Sequence, residues 1–144
     1  MLNRPMRALY VLVCFAFLSA ASTAQADVTK TVYHVHDGTT HATHAMYNIM
    51  FQLKGDPKSK IVVVANFEGI KAFTKDSKDM MGKSFSAWVD DFVVQGVEFR
   101  VCQQAMDYFK VTKDQMLDSV TVVPSGVGEI ARLQSQEGFG YIRP

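Results

Sequence analysis

Gly96-Val97-Glu98-Phe99-Arg100-Val101-Cys102-Gln103-Gln104 decides how this chain is read. A turn glycine closes one helical pattern, a short β-favouring run follows, and from Cys102 the periodicity is helical again, as in a βα unit of an α/β sheet. Chemistry in such sheets collects at the carboxyl ends of the strands, and Cys102 stands at that end. Residues 103–109 should begin a helix whose free N–H groups and positive dipole end stabilise a thiolate over a thiol. Cys102 is therefore the candidate catalytic residue.

Working backwards, Ser84 is placed to cap a helix that turns Phe85, Trp88, Val89, Phe92 and Val93 to one side and ends at Gly96. Ile61-Val62-Val63-Val64 is a continuous apolar run, the pattern of a strand covered on both faces, and it ends at Asn66. Residues 28–36 are rich in β-branched and aromatic types and close on Asp37-Gly38, which predicts a first strand and a turn. Thr39 or Thr40 should cap the helix that follows, with Ala42, Ala45, Met46, Ile49, Met50 and Leu53 on one face and Gly55 and Pro57 stopping it. Residues 67–73 predict a helical turn or two, and the polar, lysine-rich stretch 74–83 a mobile loop.

Working forwards, Thr112 to Gln115 spells a capping box for a short helix, with Val111 and Met116 as its hydrophobic staple. Residues 120–123 predict another strand. Pro124-Ser125-Gly126-Val127-Gly128 turns into a helix with Val127, Ile130, Ala131 and Leu133 inward, and Tyr141-Ile142 suits a short edge strand. Strand and helix alternate throughout. The expected fold is a three-layer α/β/α sandwich with a mostly parallel sheet of about five strands. Glu98 and Arg100 share one strand face, which should be less covered than the faces of the Ile61 strand.

The chain has 144 residues, of which 48% are hydrophobic and 20% charged, enough for one domain with its own core. Its start reads differently. Arg4 and Arg7 precede an apolar run over 8–18, and Ala24-Gln25-Ala26 is an A-x-A cleavage pattern. Residues 1–26 are expected to be a secretory signal peptide and 27–144 the mature domain, periplasmic or secreted, with no stable membrane anchor after cleavage. Loss of Arg4 and Arg7 takes two of the 15 basic residues and none of the 14 acidic ones, leaving 13 against 14, or −1. Such a chain has no electrostatic footprint for nucleic acid. Cleavage also removes Cys14 and leaves Cys102 without an internal disulfide partner: inert, paired between chains, or reactive.

Parallel strands deliver His36, Asp37, Asn66, Cys102 and the loop 124–128 to one rim. Asn66, Gln103, Ser125 and Gly126 are the candidate substrate-binding residues there, Ser125 and Gly126 because a loop before a helix can cradle an anion with its N–H groups, if it is more than a plain turn. All four histidines fall in 34–44. His36, His41 and His44 are candidate ligands for copper or zinc, with Cys102 as a possible thiolate, against the alternative of structural histidines. No other cofactor is expected. A Cys102 with His36 or His41 as base would also suit acyl transfer, but no oxyanion hole is recognisable.

Val32-Tyr33-His34-Val35 with its Asp-Gly turn, Lys60-Ile61-Val62-Val63-Val64, Gly96 to Cys102 and the closing Gly138-Phe139-Gly140-Tyr141-Ile142-Arg143-Pro144 resemble the DsrE/DsrF-like family over nearly all of 27–144. The resemblance implies a sulfur-relay carrier in which Cys102 takes sulfur as a persulfide from a donor protein and hands it to an acceptor. It also implies a homo-oligomer, trimer or hexamer, in keeping with more Phe and Met than a small core needs. Where related sequences often carry a His-Gly pair, this chain has Asn66-Phe67. A non-catalytic copper or zinc module and a structural oligomer with an inert Cys102 are the alternatives.

Overall fold

In this computed structural model, residues 28–144 are described; the expected signal segment 1–26, with Cys14, lies outside them. The apolar run at Ile61 becomes the middle of the sheet. β2 (Lys60–Ala65) has every residue from Ile61 to Ala65 fully buried. On one side lie β1 (Lys30–Val35) and, beyond it, β5 (Gly140–Ile142); on the other lie β3 (Glu98–Cys102) and β4 (Thr121–Val123). The order is β4-β3-β2-β1-β5, and every pairing is parallel. A parallel strand with both faces covered can be apolar at every position, which is why β2 does not alternate.

The helices fill two unequal layers. Tyr33, Val35, Ile61, Val63, Phe99 and Val101 point into the larger core with residues of α1 (Gly38–Gly55), the 3₁₀ segment Phe67–Phe73, α2 (Phe85–Val93) and α3 (Gln103–Phe109). Val32, Val62 and Val64 point the other way, onto Ile130 and Leu133 of α4 (Gly126–Glu137) and Phe139. The sandwich therefore has three layers, with one face covered by a single helix among the described residues. Arg100 and Glu98 lie on that face. Arg100 pairs with Glu98 and with Glu129 of α4, and Arg132 holds Glu129 at 2.8 and 3.0 Å.

The hydrogen bond from Arg132 is the main cause that holds the Glu129 carboxylate below the usual range; burial opposes it, and the hydrogen bond from Arg100 and the charges of both arginines add to it. A depressed folded value means stability that is complete above about pH 4.3 and is lost as pH falls through the folded value. Glu129→Gln is expected to cost about 1–3 kcal/mol near neutral pH. Urea titrations of both proteins should converge as pH drops below that range; a difference independent of pH contradicts the ion-pair account.

Several local expectations are revised. Asp37, not Thr39 or Thr40, occupies the N-cap of α1; its side chain makes no capping bond, and Arg143 Nη2 donates to its Oδ2 at 2.7 Å. Ser84 does cap α2, accepting from the N–H of Ser86. The loop 74–83 is pinned: buried Asp79 accepts from Trp88 Nε1 and from the N–H groups of Met81 and Lys83, each at 2.8 Å. The capping box at Thr112 and Gln115 forms, but it starts a single 3₁₀ turn, Lys113–Gln115. In α4 only Gly126, Ile130 and Leu133 are buried, while Val127 and Ala131 are exposed, since a lone helix on a sheet needs only a narrow apolar stripe.

Candidate functional site

The sheet register builds the site. Val35 pairs with Ala65, Ala65 with Val101, and Cys102 with Val123, so the next residues of neighbouring strands, His36 and Asn66, emerge beside Cys102 on one rim. The loop into α4 closes on the same point. A Cβ built on Gly126 would stand 2.9 Å from Asn66 Cβ and 3.0 Å from Cys102 Cβ, so only glycine lets the loop seat against both.

Cys102 is a free cysteine, 5% exposed, at the N-cap of α3. Its side chain accepts no capping hydrogen bond, so the sulfur does not rest on the N–H groups of residues 103–105. Packing accounts for this, because its Cβ bears on Gly126 and the side chain joins the larger apolar core. The thiol borders an open cleft of about 320 Å³. Buried Asn66 and half-buried His36 share that cleft, and the exposed side chains of Phe67 (47%), Tyr108 (72%) and Val127 (60%) rise around it. A buried nucleophile thus sits below an apolar, partly aromatic rim.

Phe67 holds a φ of 45°, in the left-handed region that costs a bulky side chain about 1–3 kcal/mol. Its ring is stacked on His36 with centroids 5.1 Å apart and meets Phe109 at 5.4 Å. Those contacts hold the strained conformation in place.

Asn66 Oδ1 lies 2.9 Å from His34 Nε2 and 2.8 Å from His36 Nδ1, and the hydroxyl of Tyr141 lies 2.7 Å from His34 Nδ1. Burial is the main cause that holds His34 below the ordinary imidazole range, with repulsion from Arg143 and from any charge on His36 or His41 adding to it and the Asn66 hydrogen bond opposing it, so it is neutral at pH 7. His36 Nε2 is 3.7 Å from Asp37 Oδ1, and His41 Nδ1 is 3.6 Å from Asp37 Oδ2. The hydrogen bond from Arg143 is the main cause that keeps Asp37 below the usual carboxylate range.

The other sequence candidates are distributed unevenly. Gln103 is exposed and donates from Nε2 to Asp107 at 2.8 Å, while its neighbour Gln104 reaches the cleft. Ser125 caps α4, its Oγ accepting from the N–H of Gly128 at 3.3 Å. His36 and His41 approach one carboxylate, whereas His44 is exposed on α1 and lines no part of the cleft. Among the described residues no three His, Cys, Asp or Glu side chains are grouped to hold a metal ion. Sequence reasoning missed Phe67, Tyr108 and Val127. A legible signal existed for Tyr108, since 102, 105 and 108 recur every three residues along one side of a helix.

The model of the DsrE/DsrF-like family matches residues 12–144. Among solved structures, the chain is similar to the protein of unknown function MTH1491 from Methanobacterium thermoautotrophicum, at 31% identity and a TM-score of 0.71, covering 81% of this chain and 99% of that one. The ychN protein from E. coli shares the fold at 11% identity and a TM-score of 0.65, over 80% of this chain and all of that one (100%). No curated protein matches.

Proposed function

The chain belongs to the DsrE/DsrF-like family, which is associated with sulfur relay, and from that membership we propose that it is an exported sulfur carrier with Cys102 as its persulfide site. One observation carries the reading: the free thiol lies at the carboxyl end of β3 and borders a cleft open to solvent, beside Asn66, whose amide oxygen is bound by two imidazoles. A sulfane sulfur has to reach a thiolate and leave again, and an open apolar cleft admits both a donor and an acceptor. This is covalent carriage, which needs no resident cofactor.

Exposure of the purified mature protein to inorganic polysulfide, followed by intact-mass analysis, is expected to show a gain of one sulfur atom that a thiol reductant removes. A mass unchanged by polysulfide would reject the carrier reading. Export rests on the A-x-A pattern at Ala24 to Ala26. Mass analysis from an exporting host should find the chain beginning at Asp27; a chain still carrying Met1 contradicts it.

A further inference from the structure

Resting on the carrier reading, we propose that His36 Nε2 takes and returns the proton of sulfur transfer at Cys102, and that Asn66 is the positioning residue that reserves that nitrogen. Asn66 presents one oxygen to two rings, at 2.9 Å from His34 Nε2 and 2.8 Å from His36 Nδ1. An amide oxygen only accepts, so both of those nitrogens carry hydrogen. Tyr141 then donates its hydroxyl proton to His34 Nδ1, and His34 has both nitrogens engaged. A neutral His36 with Nδ1 donating keeps its lone pair at Nε2.

His36 is the one imidazole lining the Cys102 cleft among the described residues. Its surroundings suit a ring that gains charge. Asp37 Oδ1 lies 3.7 Å from Nε2, and Asp37 is itself fixed through Oδ2 by Arg143 at 2.7 Å. Phe67, which follows the neighbouring strand β2 on the same rim, stacks on the ring and fixes its plane. The other charged or titratable groups around it are His34 on β1, with ring centroids 5.7 Å away, and His41 on α1, which faces Asp37 from its far oxygen at 3.6 Å. Asn66 and Cys102 are fixed relative to each other, because both Cβ atoms bear on Gly126.

The donor class is a low-molecular-weight persulfide, R–S–SH. Cys102 gives its thiol proton to His36 Nε2 through one water of the cleft they share, since no direct hydrogen bond joins the two. The thiolate attacks the outer sulfur. The new Cys102 S–S bond forms as the R–S bond to that sulfur breaks, the electron pair leaves on RS⁻, and His36 returns the proton to it. The sum is Cys–SH + R–S–SH → Cys–S–SH + R–SH, without an outside oxidant or reductant.

The test follows sulfur gain from cysteine persulfide by rapid quench and intact mass, on variants first shown to fold by circular dichroism. His36→Ala is expected to slow loading about 10²-fold, the low end of what a positioned acid–base contributes, and added imidazole should restore part of the rate. Asn66→Asp, which still offers oxygens to both rings, should load near the wild-type rate, while Asn66→Leu falls towards His36→Ala. Loading of His36→Ala at the wild-type rate, slowing that imidazole does not relieve, or Asn66→Asp as slow as Asn66→Leu each overturns the proton role. In those cases complete final loading leaves the carrier reading standing. A wild type that gains no sulfur overturns both.

Discussion

Replacing Gly69 by alanine is expected to destabilise the domain by about 3 kcal/mol or more, at the upper end of overpacking costs. The reason is backbone against backbone. A Cβ at Gly69 would stand 2.2 Å from the carbonyl oxygen and 2.6 Å from the carbonyl carbon of Val35, at the end of β1. No side chain can rotate away to make room. The N–H of Gly69 also donates to the carbonyl oxygens of His36 and Asn66, at 2.8 and 2.9 Å, so the 3₁₀ segment is tied down where the clash arises. Relief requires lifting that segment off the rim, which loosens Phe67, His36 and Asn66 together. Thermal unfolding should show a midpoint lower by about 10 °C or more. Gly55→Ala is the control. No atom lies within 4 Å of a Cβ there, and the helix end of α1 gains a better helix former, so its midpoint should stay level or rise. Equal effects of the two substitutions would contradict the close-approach account.

The contrast between these glycines shows what a sequence carries openly. Periodicity exposed the strands at Ile61 and Phe99 and the faces of α1 and α2, because burial imposes period 2, period 3.6 or a solid apolar run on the residues themselves. Strand ends therefore place His36, Asn66 and Cys102 on one rim from the sequence pattern alone. Gly69 and Gly126 gave no such sign, since their need for a missing Cβ comes from Val35, Asn66 and Cys102, distant in sequence. Asp37 looked like half of a turn, and only the return of the C-terminal segment past β5 gives it to Arg143 in place of the helix cap. The thiol was expected on the N–H groups of α3 and instead packs by Gly126. That difference turns on a side-chain direction of a few ångströms, which no pattern of residue types encodes. Val127, apolar and expected inward, stands exposed at the cleft instead.

Cys102→Ser carries the largest functional effect: sulfur gain should vanish altogether, since an alcohol at neutral pH neither forms an anion nor holds a sulfane sulfur. Stability should fall by about 1 kcal/mol or less. The two side chains are near in size, and the residue borders an open cleft in which a hydroxyl finds water. An inert core cysteine predicts the reverse, because serine would bury a hydroxyl among apolar groups at a cost of about 1–3 kcal/mol. The two accounts separate most sharply in the folded wild type. Iodoacetamide is added to native and to denatured protein near neutral pH, intact mass is followed with time, and each product is then offered polysulfide. A carrier cysteine alkylates in the native state at a rate unrelated to unfolding, and the alkylated chain takes up no sulfur. Native Cys102 that resists alkylation while the denatured chain reacts at once would contradict the sulfur-carrier account and leave only the fold.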